Sequence, residues 1–290
     1  MKFISILLAL ALLAGALSGC APTEAPDIVA TTLPVYEFTS RLCEGTGLTV
    51  TQLVTESVSC LHDYSLSVSQ VRAVEAARTV VLSGAGLEAF MEDLLTDRST
   101  IDSSHGIDLL TCEDGHEHED HHHSHEADSH IWLSPANAMT MASNICDGLI
   151  REYPQFEEVF KTNLSALTVE LGALEAYGQA QLAQLSSRDL ITFHDGFAYF
   201  ADAFGLTILE AVEEESGSEA SARELIHLIE LVQEHRVAAL FTEINGSASA
   251  ASIISAEAGI PSFPLDMAMG GKSYFEAMYH NIDTIREALK

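Results

Sequence analysis

Residues 155–185 read QFEEVFKTNLSALTVELGALEAYGQAQLAQL. The apolar positions Phe156, Phe160, Leu164, Leu167, Leu171, Leu174, Leu182 and Leu185 recur at helical spacing, which predicts one continuous helix. At ~1.5 Å per residue such a helix is about 45 Å long, enough to run through two lobes. It stands alone, with strand-like and helix-like stretches alternating on both sides, so a coiled coil is disfavoured.

Upstream, 28–32 and 48–54 are β-branched runs around a helix-like stretch at 34–44, a βαβ opening. A helix from 68 with Ser67 as N-cap, a strand at 79–83, a helix at 87–95, a strand at 107–110 and a helix from Pro135 to Glu152 follow. Downstream, strands at 190–193, 206–209 and 237–241 alternate with helices at 197–204, 220–234 and 248–258. Alternation of this kind predicts two doubly wound α/β lobes, 28–153 and 188–290, joined by one long rigid helix within 154–187. Ligands of such sheets bind at the carboxyl ends of the strands, here in a cleft between the lobes.

The 290 residues carry 13 Lys+Arg against 43 Asp+Glu, a formal net charge of −30. Such a surface repels phosphate backbones and anionic headgroups, which excludes a nucleic-acid binder and makes cations the natural partners. With 47% hydrophobic residues the chain can still bury a core. Lys2, an apolar run from Phe3 to Ala16 and Leu17-Ser18-Gly19-Cys20 read as an export signal over 1–19. The apolar run is shorter than the ~20 residues a bilayer core requires. Leu17 to Cys20 resembles a bacterial lipobox, which implies lipidation of Cys20, a short tether over 20–27, and an extracytoplasmic protein anchored to the membrane, at the cell surface or in the periplasm. Cys43, Cys60, Cys112 and Cys146 then form an even set in a disulfide-permissive compartment, with three connectivities open and Cys60–Cys112 the favoured pair.

Histidine and carboxylate carry the chemistry. Within 113–129 stand His116, His118, His121, His122, His123 and His125, interleaved with Asp and Glu, a tract of donors for divalent transition metals. Ordering such a tract costs entropy, so the specific site is expected elsewhere. His62, His130 and His194 follow strand-like runs or open helical ones, and Asp266 ends the run 260–265. Together they supply three nitrogens and one oxygen, a closed tetrahedral set suited to Zn2+. Three imidazoles favour zinc over the less likely manganese. Glu243 ends another strand and is an alternative ligand, a carboxylate partner for a histidine N–H, or a cap; the second reading ranks first. A filled coordination set leaves no position for an activated water, and neither an HExxH pair nor a nucleophile elbow occurs, so an enzyme is not expected.

Several motifs together resemble the metal-binding solute-binding lipoproteins of zinc and manganese ABC importers: Cys60-Leu61-His62-Asp63-Tyr64, the His-rich insert, Ser129-His130-Ile131-Trp132-Leu133-Ser134-Pro135, Phe193-His194-Asp195-Gly196-Phe197, Phe241-Thr242-Glu243 and Leu265-Asp266. The sequence differs from that family's usual pattern where Leu61 and Ser129 replace prolines before the first two histidines. The resemblance implies two α/β lobes on a long helix, an interlobe site using His62, His130, His194 and Asp266, a monomer, and delivery of zinc to a membrane permease driven by a cytoplasmic ATPase. Manganese- or iron-binding importer components, and a surface metal buffer or adhesin, are the alternatives.

Overall fold

The computed structural model describes residues 25–56, 61, 64–111, 127–212, 221–246 and 249–290. The export signal, Cys20, Cys60, His62, Cys112 and the histidine tract lie outside the described residues.

The N-terminal lobe is a parallel sheet of order β2-β1-β3-β4. It is built from β1 (Ile28–Ala30), β2 (Val50–Gln52), β3 (Thr79–Leu82) and β4 (Ser99–Asp102). Helices α1 (Leu33–Leu42), α2 (Val68–Ala76), the short α3 (Glu92–Leu95) and α4 (Pro135–Glu152) accompany it. Ser67 caps α2 in a full capping box with Gln70, and Pro135 opens α4 behind its cap Ser134. The fourth strand is not 107–110, as the apolar run suggested, but Ser99–Asp102, paired in parallel with β3 from Thr79↔Ser99 to Leu82↔Asp102. Only Ile101 of that strand is buried, so hydropathy gives it no alternation to recognise.

The C-terminal lobe repeats the plan with order β6-β5-β7-β8. Its strands are β5 (Asp189–Thr192), β6 (Thr207–Ala211), β7 (Leu240–Glu243) and β8 (Ser262–Leu265). Its helices are α6 (Ala198–Phe204), α7 (Ala222–His235), α8 (Ser249–Ala258) and α9 (Tyr274–Leu289). The sequence reading omitted α9, although Ser273 caps it and Phe275, Met278, Ile282, Ile285 and Leu289 keep a helical apolar stripe.

Between the lobes runs α5 (Glu157–Gln181), 25 residues and therefore about 37 Å. Its first half is tied to α1: Asn163 Nδ2 donates to the carbonyls of Leu42 and Glu44, and Arg41 pairs with Glu170 at 2.6 Å. Its second half is tied to α9, where the Tyr177 hydroxyl donates to Asp283 and Arg286 to Gln181. One buried cluster runs from Ile28 and Phe38 through Leu167, Leu171 and Leu174 to Phe204, Tyr274 and Ile282. This largest cluster spans both lobes, and a smaller one lies within each lobe, around Val74 and Val80 in the first and around Leu228 and Leu240 in the second.

Cys43 and Cys146 are buried free thiols, while the favoured pair Cys60–Cys112 lies outside the described residues. Burial, aided by Asp27, pushes Cys43 up to about 12, and burial with Asp147 pushes Cys146 up to about 11.

Two glycines of α5 separate packing from propensity. A methyl group at Gly178 would meet Phe204 at 2.2 Å, whereas one at Gly172 meets nothing within 4 Å. Gly172→Ala should stabilise the protein by up to about 1 kcal/mol, the helix-propensity difference. Gly178→Ala should destabilise it by about 1–2 kcal/mol, because overpacking exceeds the same gain. Urea unfolding of the two variants checks both signs.

Candidate metal centre

The strand order of the C-terminal lobe reverses between β5 and β7, the crevice where doubly wound sheets hold ligands. His194 follows β5 by two residues and Glu243 is the last residue of β7. Their side chains meet, His194 Nδ1 lying 3.1 Å from Glu243 Oε1. Gly196 keeps the loop after β5 close: a methyl group there would meet Met267 Cε at 2.5 Å and His194 Cδ2 at 2.7 Å. Asp266 follows β8 and shares a small cavity with Glu243, Leu265 and Met267. Its main chain is clamped by the buried Asn281 of α9, whose Oδ1 accepts from Asp266 N–H at 2.7 Å while Nδ2 donates to Asp266 C=O at 2.7 Å. The Asp266 carboxylate accepts from Ala268 N–H through Oδ1 at 2.8 Å.

The N-terminal lobe contributes His130, buried at the entry to the short turn Ile131–Leu133 that leads into α4. Asp128 Oδ1 accepts from His130 N–H at 2.9 Å and lies 2.7 Å from His130 Nδ1. A carboxylate on Nδ1 selects the tautomer with its proton there and turns the Nε2 lone pair outward. Glu243 places a carboxylate oxygen at ion-pair distance from the Nδ1 edge of His194. The two Nε2 atoms then face each other at 3.3 Å, with the rings perpendicular. Two nitrogens so placed can share one cation. Nitrogens bound at ~2.0–2.1 Å to a tetrahedral ion are about 3.3–3.4 Å apart.

The structure thus brings together His130, His194 and Glu243, with Asp266 lining the same small cavity as Glu243. Among the described residues no group of three or more His, Cys, Asp or Glu side chains converges as a metal-holding set. His62 falls outside those residues. Asp128, read from the sequence as one acid of the histidine tract, is instead the partner of His130. Its signal was the Asp-x-His spacing, hidden because the acids around it are so dense.

The sequence model of the family described as "Zinc-uptake complex component A periplasmic" (ZnuA) matches residues 28–288. The chain belongs to this family. It is 30% identical over 308 aligned residues to the zinc-binding lipoprotein AdcA of Streptococcus pneumoniae TIGR4, covering 99% of this chain and 61% of that protein. It therefore spans about three fifths of the length of that curated relative. A crystal structure of ZnuA superposes with a TM-score of 0.80 at 28% identity, over 91% of this chain and 100% of the other. The Zn(II)-bound ZnuA-like domain of S. pneumoniae AdcA gives 0.75 at 27% identity, over 90% and 98%.

In this ZnuA-family chain the corresponding crevice of the N-terminal lobe, between β1 and β3, is plugged. Glu88 is buried there and accepts from Thr31 Oγ1 at 2.6 Å, Ser83 N–H at 2.7 Å and Gly84 N–H at 3.0 Å. Burial outweighs those hydrogen bonds and pushes its carboxyl up to about 7. The folded protein then holds a proton that the unfolded chain releases above about 4.5. Stability should fall as pH rises from about 4.5 to 7 on this account and level off above, a total of a few kcal/mol. Glu88→Gln should flatten that slope, measured as the difference in unfolding free energy between variant and parent across the same pH range.

Proposed function

We propose that this protein is the extracytoplasmic solute-binding component of an ABC importer, capturing Zn2+ between its lobes and delivering it to a permease coupled to a cytoplasmic ATPase. The observation that carries this reading is the pair of imidazoles presented from opposite lobes, each backed by a buried carboxylate on Nδ1. Donors oriented in this way bind zinc without rearrangement. His130 and His194 are two ligands of the cargo ion, His62 the third and Asp266 the fourth, with Glu243 and Asp128 as their supports. Nitrogen donors favour zinc over manganese along the Irving–Williams order. Membership of the ZnuA family and the names of its zinc-binding relatives support the same cargo.

No chemistry is performed on the ion. Four protein ligands leave no coordination position for an activated water, so the site captures and releases rather than catalyses. The lipobox at Leu17 to Cys20 anchors the chain by its N-terminus outside the cytoplasm. The histidine tract within 113–129 gathers cations weakly near the site, and the net charge of −30 draws them in, an attraction that salt screens.

Calorimetric titration of metal-free protein with Zn2+ and Mn2+ tests the assignment. The tract deletion must span 113–126 only, because Asp128 belongs to the site. One tight zinc site should survive the deletion, disappear in His194→Ala and greatly exceed the manganese affinity. Loss of all tight binding on deletion, with His194→Ala unchanged, would instead make the protein a surface metal buffer.

A further inference from the structure

We propose that Tyr199 is a positioning residue for metal capture, holding Asp128, and through it the His130 ring, against the opposite lobe. The inference rests on the zinc-binding reading above.

Tyr199 lies on α6 of the C-terminal lobe, five residues after His194, and is buried. Its hydroxyl reaches into the N-terminal lobe, accepting from Leu110 N–H at 2.9 Å and donating to Asp128 C=O at 3.0 Å. The two segments it joins are already paired: Asp128 N–H donates to Leu110 C=O at 2.9 Å, and Thr111 bridges Ala127 in antiparallel fashion. One phenol oxygen therefore closes a ring of hydrogen bonds around Asp128. The side chain of the same Asp128 receives both the backbone N–H and the ring Nδ1 of His130.

The consequence is geometric. The loop before α6 carries His194 and α6 carries the group that fixes the partner of His130, so one element sets both Nε2 atoms that face each other at 3.3 Å. A second interlobe tie lies on the far side of His130, where Trp132 Nε1 donates to Met267 C=O at 2.8 Å. That indole is packed in the shared core, and its removal would disturb the fold at large. The phenol hydroxyl of Tyr199 is a separable tie and reaches Asp128 directly, since phenylalanine keeps the ring and deletes one oxygen. Its loss leaves Leu110 N–H and Asp128 C=O without their interlobe partner and frees Asp128 to turn away from the imidazole.

The test is a double-mutant cycle on zinc affinity, read by competition with a chelator of known strength, using wild type, Tyr199→Phe, Asp128→Asn and the double variant. His130→Ala serves as the control for the site itself. Tyr199→Phe should weaken zinc binding about tenfold, Asp128→Asn by 10- to 100-fold, and the double variant should match Asp128→Asn within about twofold. Effects that multiply would overturn the proposal, as would a lowered melting temperature with unchanged affinity, which marks a purely structural tie. If His130→Ala leaves binding intact, the functional reading fails instead. Should Tyr199→Phe not fold, amide exchange in the wild type decides: the Leu110 N–H should exchange at least fivefold more slowly when zinc is bound, and no change refutes the coupling.

Discussion

The burial of α5 in both halves of the molecule is the constraint from which the rest follows. A hinge protein joins its domains by exposed strands that absorb rotation, whereas here the connector is a helix whose Leu167, Leu171 and Leu174 lie within one continuous core. Rotating one lobe would open that core and strip apolar surface from its neighbours. The distance between the strand ends of the two sheets is thus set by packing before any ligand arrives.

Such rigidity explains how His130 and His194 can be held so close. Two ring nitrogens 3.3 Å apart across the lobes must be held from both sides, and flexible loops would let them part. Here the carboxylates of Asp128 and Glu243 hold the Nδ1 edges, and each carboxylate is fixed in turn, Glu243 by being the end of a buried strand and Asp128 by Leu110 and His130 itself. On the proposed function, packing holds both nitrogens in place for a divalent cation, a use of packing energy for preorganisation.

Much of this was legible in the sequence, and the failures are instructive. Long periodic segments such as α4 and α5 declare themselves because their apolar stripe repeats over several turns. The carboxyl-end positions of His194, Glu243 and Asp266 were readable because parallel strands are short apolar runs and the functional residue follows the run directly. Strand β4 was missed because a single buried residue, Ile101, carries no period, while the more apolar 107–110 belongs to a connecting segment. Asp128 was misassigned because local composition masks individual roles: one acid among many gives no sign of which histidine it faces. Glu88, Asn281 and Tyr199 act through contacts between residues far apart in the chain, which neither spacing nor composition encodes.

On the proposed function, the two buried thiols bear on delivery. Thiolate sulfur is a softer and stickier donor for zinc than imidazole or carboxylate, and a protein that must surrender what it binds has reason to keep it out of reach. Cys43 and Cys146 sit in the core with their protons held to about 12 and about 11, so neither offers a thiolate near neutrality. Among the described residues cysteine sulfur is thereby reduced to an apolar filler, and on the proposed function exchange of the ion is left to nitrogen and oxygen donors that let go.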